Sequence, residues 1–316
     1  MSVPKTVNTY SIGVDLGGTN LRAAAFDASG KLLAKVSGST PVADGPQAVV
    51  GDIARSVEQL RQQFGRENLA GIGAGVPGNI LMDEGVIAGW GNMPSFNGFP
   101  MRAELEKKIG ARVFLENDAN AAALGEKWMG AGQQVENLVM LTLGTGVGGG
   151  IIVDGKVLHG YLGMAAELGH ITVVPNGMPC GCGNRGCVEK YASASAVAAM
   201  SRNLILGHDL TAEEVFKMAA GGNTRAQEIF RVVGESLGIA LAALVNVFNF
   251  PLYLIGGGVI GAWDYFAPAM LAEVERRCFT YRAAKATQAT RIELAVLGNE
   301  AGLYGAAYPP LQQMGR

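Results

Sequence analysis

A chain of 316 residues that is 49% hydrophobic and 16% charged can bury a large core without disulfide staples, and its low charge excludes a disordered segment. A net charge of −2 with no basic stripe argues against nucleic acid as a partner, and no apolar run reaches the ~18 residues of a membrane span. Glycine accounts for 46 residues, about twice its usual ~7% share, which points to tight turns and close backbone approach to a ligand.

The first nine residues, from Met1 to Thr9, hold one Lys and no apolar stretch, so no signal peptide is expected there. Tyr10–Asp15, Leu21–Phe26 and Lys31–Ser37 are β-rich runs separated by glycine turns, the pattern of an antiparallel meander. Pro46–Phe64 carries apolar residues at helical spacing: Val49, Ile53, Val57, Leu60 and Phe64. Leu69–Val76 reads as a buried strand running into Pro77-Gly78, and Ile80–Ala88 as a small hairpin. Met101–Ile109 reads as a helix, Val113–Leu115 as a strand, and Ala119–Trp128 as a helix.

The same grammar returns at Asn137–Leu143, a strand that ends in Gly144–Gly150 and leads into a second strand, Ile151–Val153. Asp154-Gly155 then turns the chain towards Lys156–Leu158. Helices are expected over Ala194–Leu206, Thr211–Ala219 and Ala226–Phe248, the second opened by a Thr211/Glu214 capping box. Leu252–Ile255 is a strand ending in Gly256–Gly258. Phe266–Arg276 is a helix, Ile292–Ala295 a strand, and Ala301–Leu311 the closing helix. Strand, glycine turn and strand thus occur near 10–26 and again near 138–153, as in a diverged internal duplication.

Three glycine turns follow strands, and glycine lets backbone N–H groups point at an anion. Gly144, Gly146 and Gly149 form a G-x-G-x-x-G match. The turn leads into a strand rather than a helix, which argues against a dinucleotide fingerprint or a P-loop. A tight hairpin is the simplest reading of one such turn. Two in matching places of two similar lobes are expected to face a cleft and hold nucleotide phosphates.

His170, Cys180, Cys182 and Cys187 lie within eighteen residues. One imidazole and three thiolates suit a tetrahedral Zn²⁺, and four filled positions make the site closed and structural. Cys278 reads as an ordinary half-buried thiol, and the cysteine usage points to a reducing, cytoplasmic compartment. Asp118, in Leu115-Glu-Asn117-Asp118, follows a strand end, where open α/β sheets bind ligands. From the residues alone it is equally a helix N-cap or a catalytic carboxylate.

These motifs together resemble the ROK family of sugar kinases and repressors, within the actin/hexokinase/Hsp70 fold superfamily. Asp15-Leu-Gly17-Gly18-Thr19-Asn20 resembles its first phosphate motif, Gly144–Gly150 the second, and Leu254–Val259 the adenosine motif. The cysteine spacing matches its zinc signature. The resemblance runs on to Gly298–Ala307 and so covers nearly the whole chain. It implies an α/β, two-lobed, actin-like ATPase (ribonuclease H-like) fold with a ligand cleft between the lobes. Residues 1–118 plus 301–316 would form the small lobe and 119–300 the large one.

The implied activity is transfer of phosphate from ATP to the 6-hydroxyl of a hexose, D-glucose being favoured, in a homodimeric cytoplasmic enzyme. Asp118 would be the catalytic base. Gly78, Asn92, Asn117, Glu167, His170 and Glu189 would join it in binding sugar, with His170 serving zinc and sugar through different ring nitrogens. Gly17, Gly18, Thr19, Asn20, Gly144, Thr145, Gly146 and Gly256, Gly257 and Gly258 would bind ATP. Asp15 would meet Mg²⁺ through water. The family also includes kinases of N-acetylmannosamine, N-acetylglucosamine, mannose, fructose and allose, and polyphosphate is an alternative donor. Its repressors carry a helix-turn-helix ahead of the first strand, for which nine residues before Tyr10 are too few.

Overall fold

The computed structural model describes residues 9–90, 93–203, 210–284, 287 and 290–314. Asn92, the segment 1–8 read for a leader, and the end of the helix expected to reach Leu206 lie outside the described residues.

The chain begins with β1 (Tyr10–Leu16), β2 (Asn20–Asp27) and β3 (Leu32–Ser39), followed by α1 (Pro46–Phe64) and β4 (Leu69–Val76). A hairpin of β5 (Asn79–Leu81) and β6 (Val86–Gly89) precedes α2 (Met101–Ile109), β7 (Val113–Asn117) and α3 (Asp118–Met129). Next come β8 (Leu138–Leu143), β9 (Val147–Val153), β10 (Lys156–Val157), α4 (Glu189–Ala192), α5 (Ala194–Ser201), α6 (Ala212–Ala220) and α7 (Thr224–Phe248). The chain ends with β11 (Leu252–Gly256), α8 (Trp263–Arg277), α9 (Phe279–Ala284), β12 (Arg291–Leu294) and α10 (Ala301–Met314).

The expected meander is present: β1 pairs antiparallel with β2, and β2 with β3, while β1, β4 and β7 run parallel. β1 is buried along its whole length, as a strand covered on both faces must be. The first sheet has the order β3-β2-β1-β4-β7 and the second β10-β9-β8-β11-β12. Numbered within its own sheet, each reads third, second, first, fourth, fifth. The duplication glimpsed in two turns therefore extends over five strands. Local signals hold as well. The apolar stripe of α1 buries Val49, Ile53, Val57 and Leu60, and Thr211 and Glu214 form both halves of the capping box of α6.

The chain divides into two compact units, Met1–Glu136 with Gly150–Ala165 and Val296–Arg316, and Asn137–Gly149 with Ala166–Ala295. α3 therefore belongs with the N-terminal residues, beyond the boundary expected after residue 118. The reason is its packing on α10. Gly125 and Gly305 meet at the crossing, where a Cβ on either would overlap the carbonyl oxygen of Ala301 or Ala121. α10 lies equally close to the first sheet over Gly13 and Gly73, which are neighbours in the β1/β4 register. A Cβ on Gly13 would come 2.9 Å from the Ala307 nitrogen. Part of the glycine excess thus serves helix approach rather than turns or ligand. Gly305→Ala, which must push two backbones apart, is expected to lower stability by about 1–3 kcal/mol. Equilibrium denaturation measures this, and an unchanged midpoint would contradict the packing.

Candidate active site

In the first unit three parallel strands deliver their C-terminal ends side by side. Asp15 of β1 pairs with Gly75 of β4, and Val76 of β4 with Asn117 of β7. Asp15, Gly78 and Asn117-Asp118 are thereby gathered at one end of the sheet, where such sheets bind ligands. Gly78 has φ +93°, and a Cβ there would lie 2.6 Å from the Gly89 carbonyl oxygen, so both conformation and space require glycine.

Asn117, rather than Asp118, caps α3. Its Oδ1 accepts from the backbone nitrogens of Ala119 (2.9 Å) and Asn120 (3.2 Å), and its Nδ2 donates to the Gly78 carbonyl (3.2 Å). Asp118 is the first helical residue, and its Oδ1 accepts from the Ala119 nitrogen at 2.9 Å. The capping alternative for Asp118 is thus corrected by one position: β7 ends at Asn117, whose extended backbone is what an N-cap requires.

Asp15 is buried and ion-paired with Arg22, its antiparallel partner in β2. Arg22 also donates to the Asn299 carbonyl at 2.6 Å. Burial pushes the Asp15 carboxyl up and the guanidinium opposes the rise. The turn beyond it is braced by Gly17 N–H donating to the Asn20 carbonyl (2.8 Å) and by the Thr40 hydroxyl donating to the Gly17 carbonyl (2.8 Å). Gly18, Thr19 and Asn20 remain exposed.

In the second unit, β8 ends at the turn Gly144–Gly146, closed by a Gly144 N–H to Gly146 carbonyl bond of 2.9 Å. The start of α5 supports it: Ala194 N–H donates to the Gly144 carbonyl (2.8 Å) and the Ser195 hydroxyl to the Thr145 carbonyl (2.8 Å). Gly256, the last residue of β11, pairs with Thr142 of β8, so Gly256–Gly258 sits beside the second glycine turn. Gly144 and Gly258 have nothing within 4 Å of a notional Cβ, so their backbones are open on that side. Gly146 differs, because its Cβ would strike the Glu189 carboxylate. Glu189 Oε2 also accepts from the Val147 nitrogen at 3.2 Å. A residue expected to bind sugar therefore braces the second glycine turn.

The ligand atoms of His170, Cys180, Cys182 and Cys187 all lie within 4.8 Å of one another. Cys182 Sγ is 3.7 Å from Cys187 Sγ, and Cys180 Sγ is 3.6 Å from His170 Nδ1. A tetrahedron with Zn–S of about 2.3 Å and Zn–N of about 2.0 Å has S–S edges of about 3.8 Å and S–N edges of about 3.5 Å, so the donor set fits Zn²⁺. Burial and the flanking thiols push the Cys187 thiol up to about 12. A cation is what would draw that proton off, so zinc affinity must fall as pH falls. His170 Nε2, the ring nitrogen not facing Cys180, stands 3.9 Å from Glu167 Oε2. Burial pushes the Glu167 carboxyl up, and His170 opposes the rise. The residue before it, Ala166, has φ +69°, a strained conformation for a residue with a Cβ.

Two residues that pattern reading missed are Glu116 and His159. Glu116, buried beside Asn117, holds His159 Nε2 at 2.7 Å. Its place in the Glu-Asn-Asp run was the available signal. Nothing around His159 marks it in sequence.

Doubled sheets with glycine turns at their strand ends are the architecture of the actin-like ATPase fold. The ROK family model matches residues 11–312. The glucokinase of Halalkalibacterium halodurans is 37% identical, with 96% of each chain covered. The ROK hexokinase structure from Thermus thermophilus superposes with a TM-score of 0.84 at 36% identity, covering 97% of this chain and 99% of that one. A ROK family glucokinase from Streptomyces griseus, solved with glucose and AMPPNP, gives 0.78 at 31%, covering 94% and 98%. This chain belongs to the ROK family.

Proposed function

We propose that the protein is an ATP-dependent hexokinase whose preferred substrate is D-glucose. The observation that carries the chemistry is Asp118 directly after β7, the first residue of a helix capped by its neighbour Asn117. In this reading the Asp118 carboxylate takes the proton of the 6-hydroxyl as that oxygen attacks the γ-phosphorus. The O6–P bond forms, the bond to the β-phosphate oxygen breaks in line, and ADP leaves. Gly78, Asn117, Glu167, His170 and Glu189 hold the sugar hydroxyls, and carboxylates suit this because each oxygen accepts more than one hydrogen bond.

The nucleotide takes the backbones of Gly17–Asn20, Gly144–Gly146 and Gly256–Gly258. Mg²⁺ bound with it would neutralise phosphate charge. Asp15, already paired with Arg22, suits contact with that ion through water. His170, Cys180, Cys182 and Cys187 would hold Zn²⁺, which fixes the loop carrying Glu167 and Glu189. The nine-tenths coverage of glucokinases by this chain supports glucose. A homodimer working in the cytoplasm is part of the same proposal. Among the described residues no helix is long and apolar enough to cross a membrane.

Coupled ADP release over glucose, mannose, fructose, allose, N-acetylglucosamine and N-acetylmannosamine tests the reading. Glucose is expected to give the highest kcat/KM. A higher value for another sugar would move the substrate within the class. ADP release that no sugar raises would remove the kinase.

A further inference from the structure

We infer that Glu116 and His159 are positioning residues for phosphoryl transfer, acting through the first turn of α3 on Asp118. The inference rests on Asp118 being the base. Glu116 is 7% exposed and is the last residue but one of β7, immediately before the cap. All of its bonds converge on that junction. Oε1 accepts from the Asn117 backbone nitrogen at 2.9 Å and from Asn120 Nδ2 at 3.1 Å, and Oε2 meets His159 Nε2 at 2.7 Å.

Asn120, on the first turn of α3, is 2% exposed, and among the described residues its Oδ1 has no partner. Glu116 therefore fixes the orientation of that buried amide. Two consecutive side chains thus hold the turn that presents Asp118. Asn117 closes its backbone from within, and Glu116 ties that cap to strand and amide.

His159 holds the second oxygen of the Glu116 carboxylate. It donates a hydrogen bond to Glu116, and that bond holds the imidazole above its usual range against the opposing effect of burial. Its backbone is anchored in turn, because the His159 carbonyl accepts from the Ala165 nitrogen at 3.0 Å. The pair forms one wall of a cavity of about 450 Å³, which Lys156, Arg102, Arg112 and Glu106 also line. His159 is 37% exposed on this cavity, so truncating it disturbs little packing. Without it, Glu116 Oε2 loses its 2.7 Å partner. The carboxylate is then free to turn, and the Oε1 hydrogen bonds that set the start of α3 are redistributed. A small misplacement of a catalytic group is enough to slow chemistry by about tenfold to a hundredfold while binding survives.

The test measures kcat, both KM values and thermal midpoint for His159→Ala, His159→Gln, Asp118→Asn and the His159→Ala/Asp118→Asn double variant. His159→Ala is expected to lower kcat about tenfold or more, with hexose and ATP KM within about twofold of wild type. His159→Gln, which restores an N–H donor at similar reach, is expected to recover most of that loss. On the Asp118→Asn background, His159→Ala is expected to add little, since groups acting as a unit are not additive. The inference is overturned by a wild-type kcat in His159→Ala, by a loss confined to KM, by a failed Gln rescue at equal thermal midpoint, or by full additivity in the double variant. A wild-type rate in Asp118→Asn is a separate result, which removes the base itself.

Discussion

Replacing Asp118 with Asn lowers kcat by about 10²–10⁴, roughly 3–5 kcal/mol of transition-state stabilisation, the usual loss when a general base is removed. Glucose Kd and the melting temperature change little. The amide keeps an oxygen for the Ala119 nitrogen now held by Asp118 Oδ1, and it can still hydrogen-bond a hydroxyl. The helix cap is untouched because it belongs to Asn117. Stability is thereby separated from chemistry at this position. A kcat within about threefold of wild type would take the base away from Asp118. Asp15, buried and paired with Arg22, would be the next carboxylate to examine.

The second large effect is expected at the cysteine cluster. Cys182 is exposed, so Cys182→Ser removes a ligand without opening a cavity. Structural zinc sites contribute apparent binding free energies of about 10–16 kcal/mol near neutral pH, and a serine hydroxyl does not replace a thiolate. Bound zinc is expected to fall from one per chain towards zero. Hydrogen exchange should accelerate between Glu167 and Glu189, and hexose KM should rise by more than about tenfold, because His170 and Glu189 sit on the loosened segment. Elemental analysis of freshly purified wild type decides the premise, and a metal-free protein with full activity would contradict it.

Much of this was legible because its signals are local. A glycine turn must lie where the backbone has to reverse, four soft ligands within eighteen residues have few uses other than a metal, and the Thr211 capping box needs only its own four residues. What escaped depends on distant partners. Asp118 follows a strand, as a cap would, yet where β7 ends was settled by its pairing with β4 through Asn117. The placement of α3 depended on glycines 180 residues apart, Gly125 and Gly305, fitting together. Gly146 reads as a phosphate glycine, and the sequence gives no hint that Glu189 fills the space beside it. His159 is one of only three histidines, and nothing next to it predicts Glu116 as its partner.

The central claim is that this chain moves a phosphoryl group from ATP to the 6-oxygen of glucose. Phosphorus NMR of the full-length protein incubated with glucose, ATP and Mg²⁺ follows donor and product together. The account predicts that ATP is lost only when glucose is present, and that glucose 6-phosphate and ADP appear in equal amounts. ATP loss that is indifferent to glucose, or a phosphate ester at another hydroxyl, would contradict it.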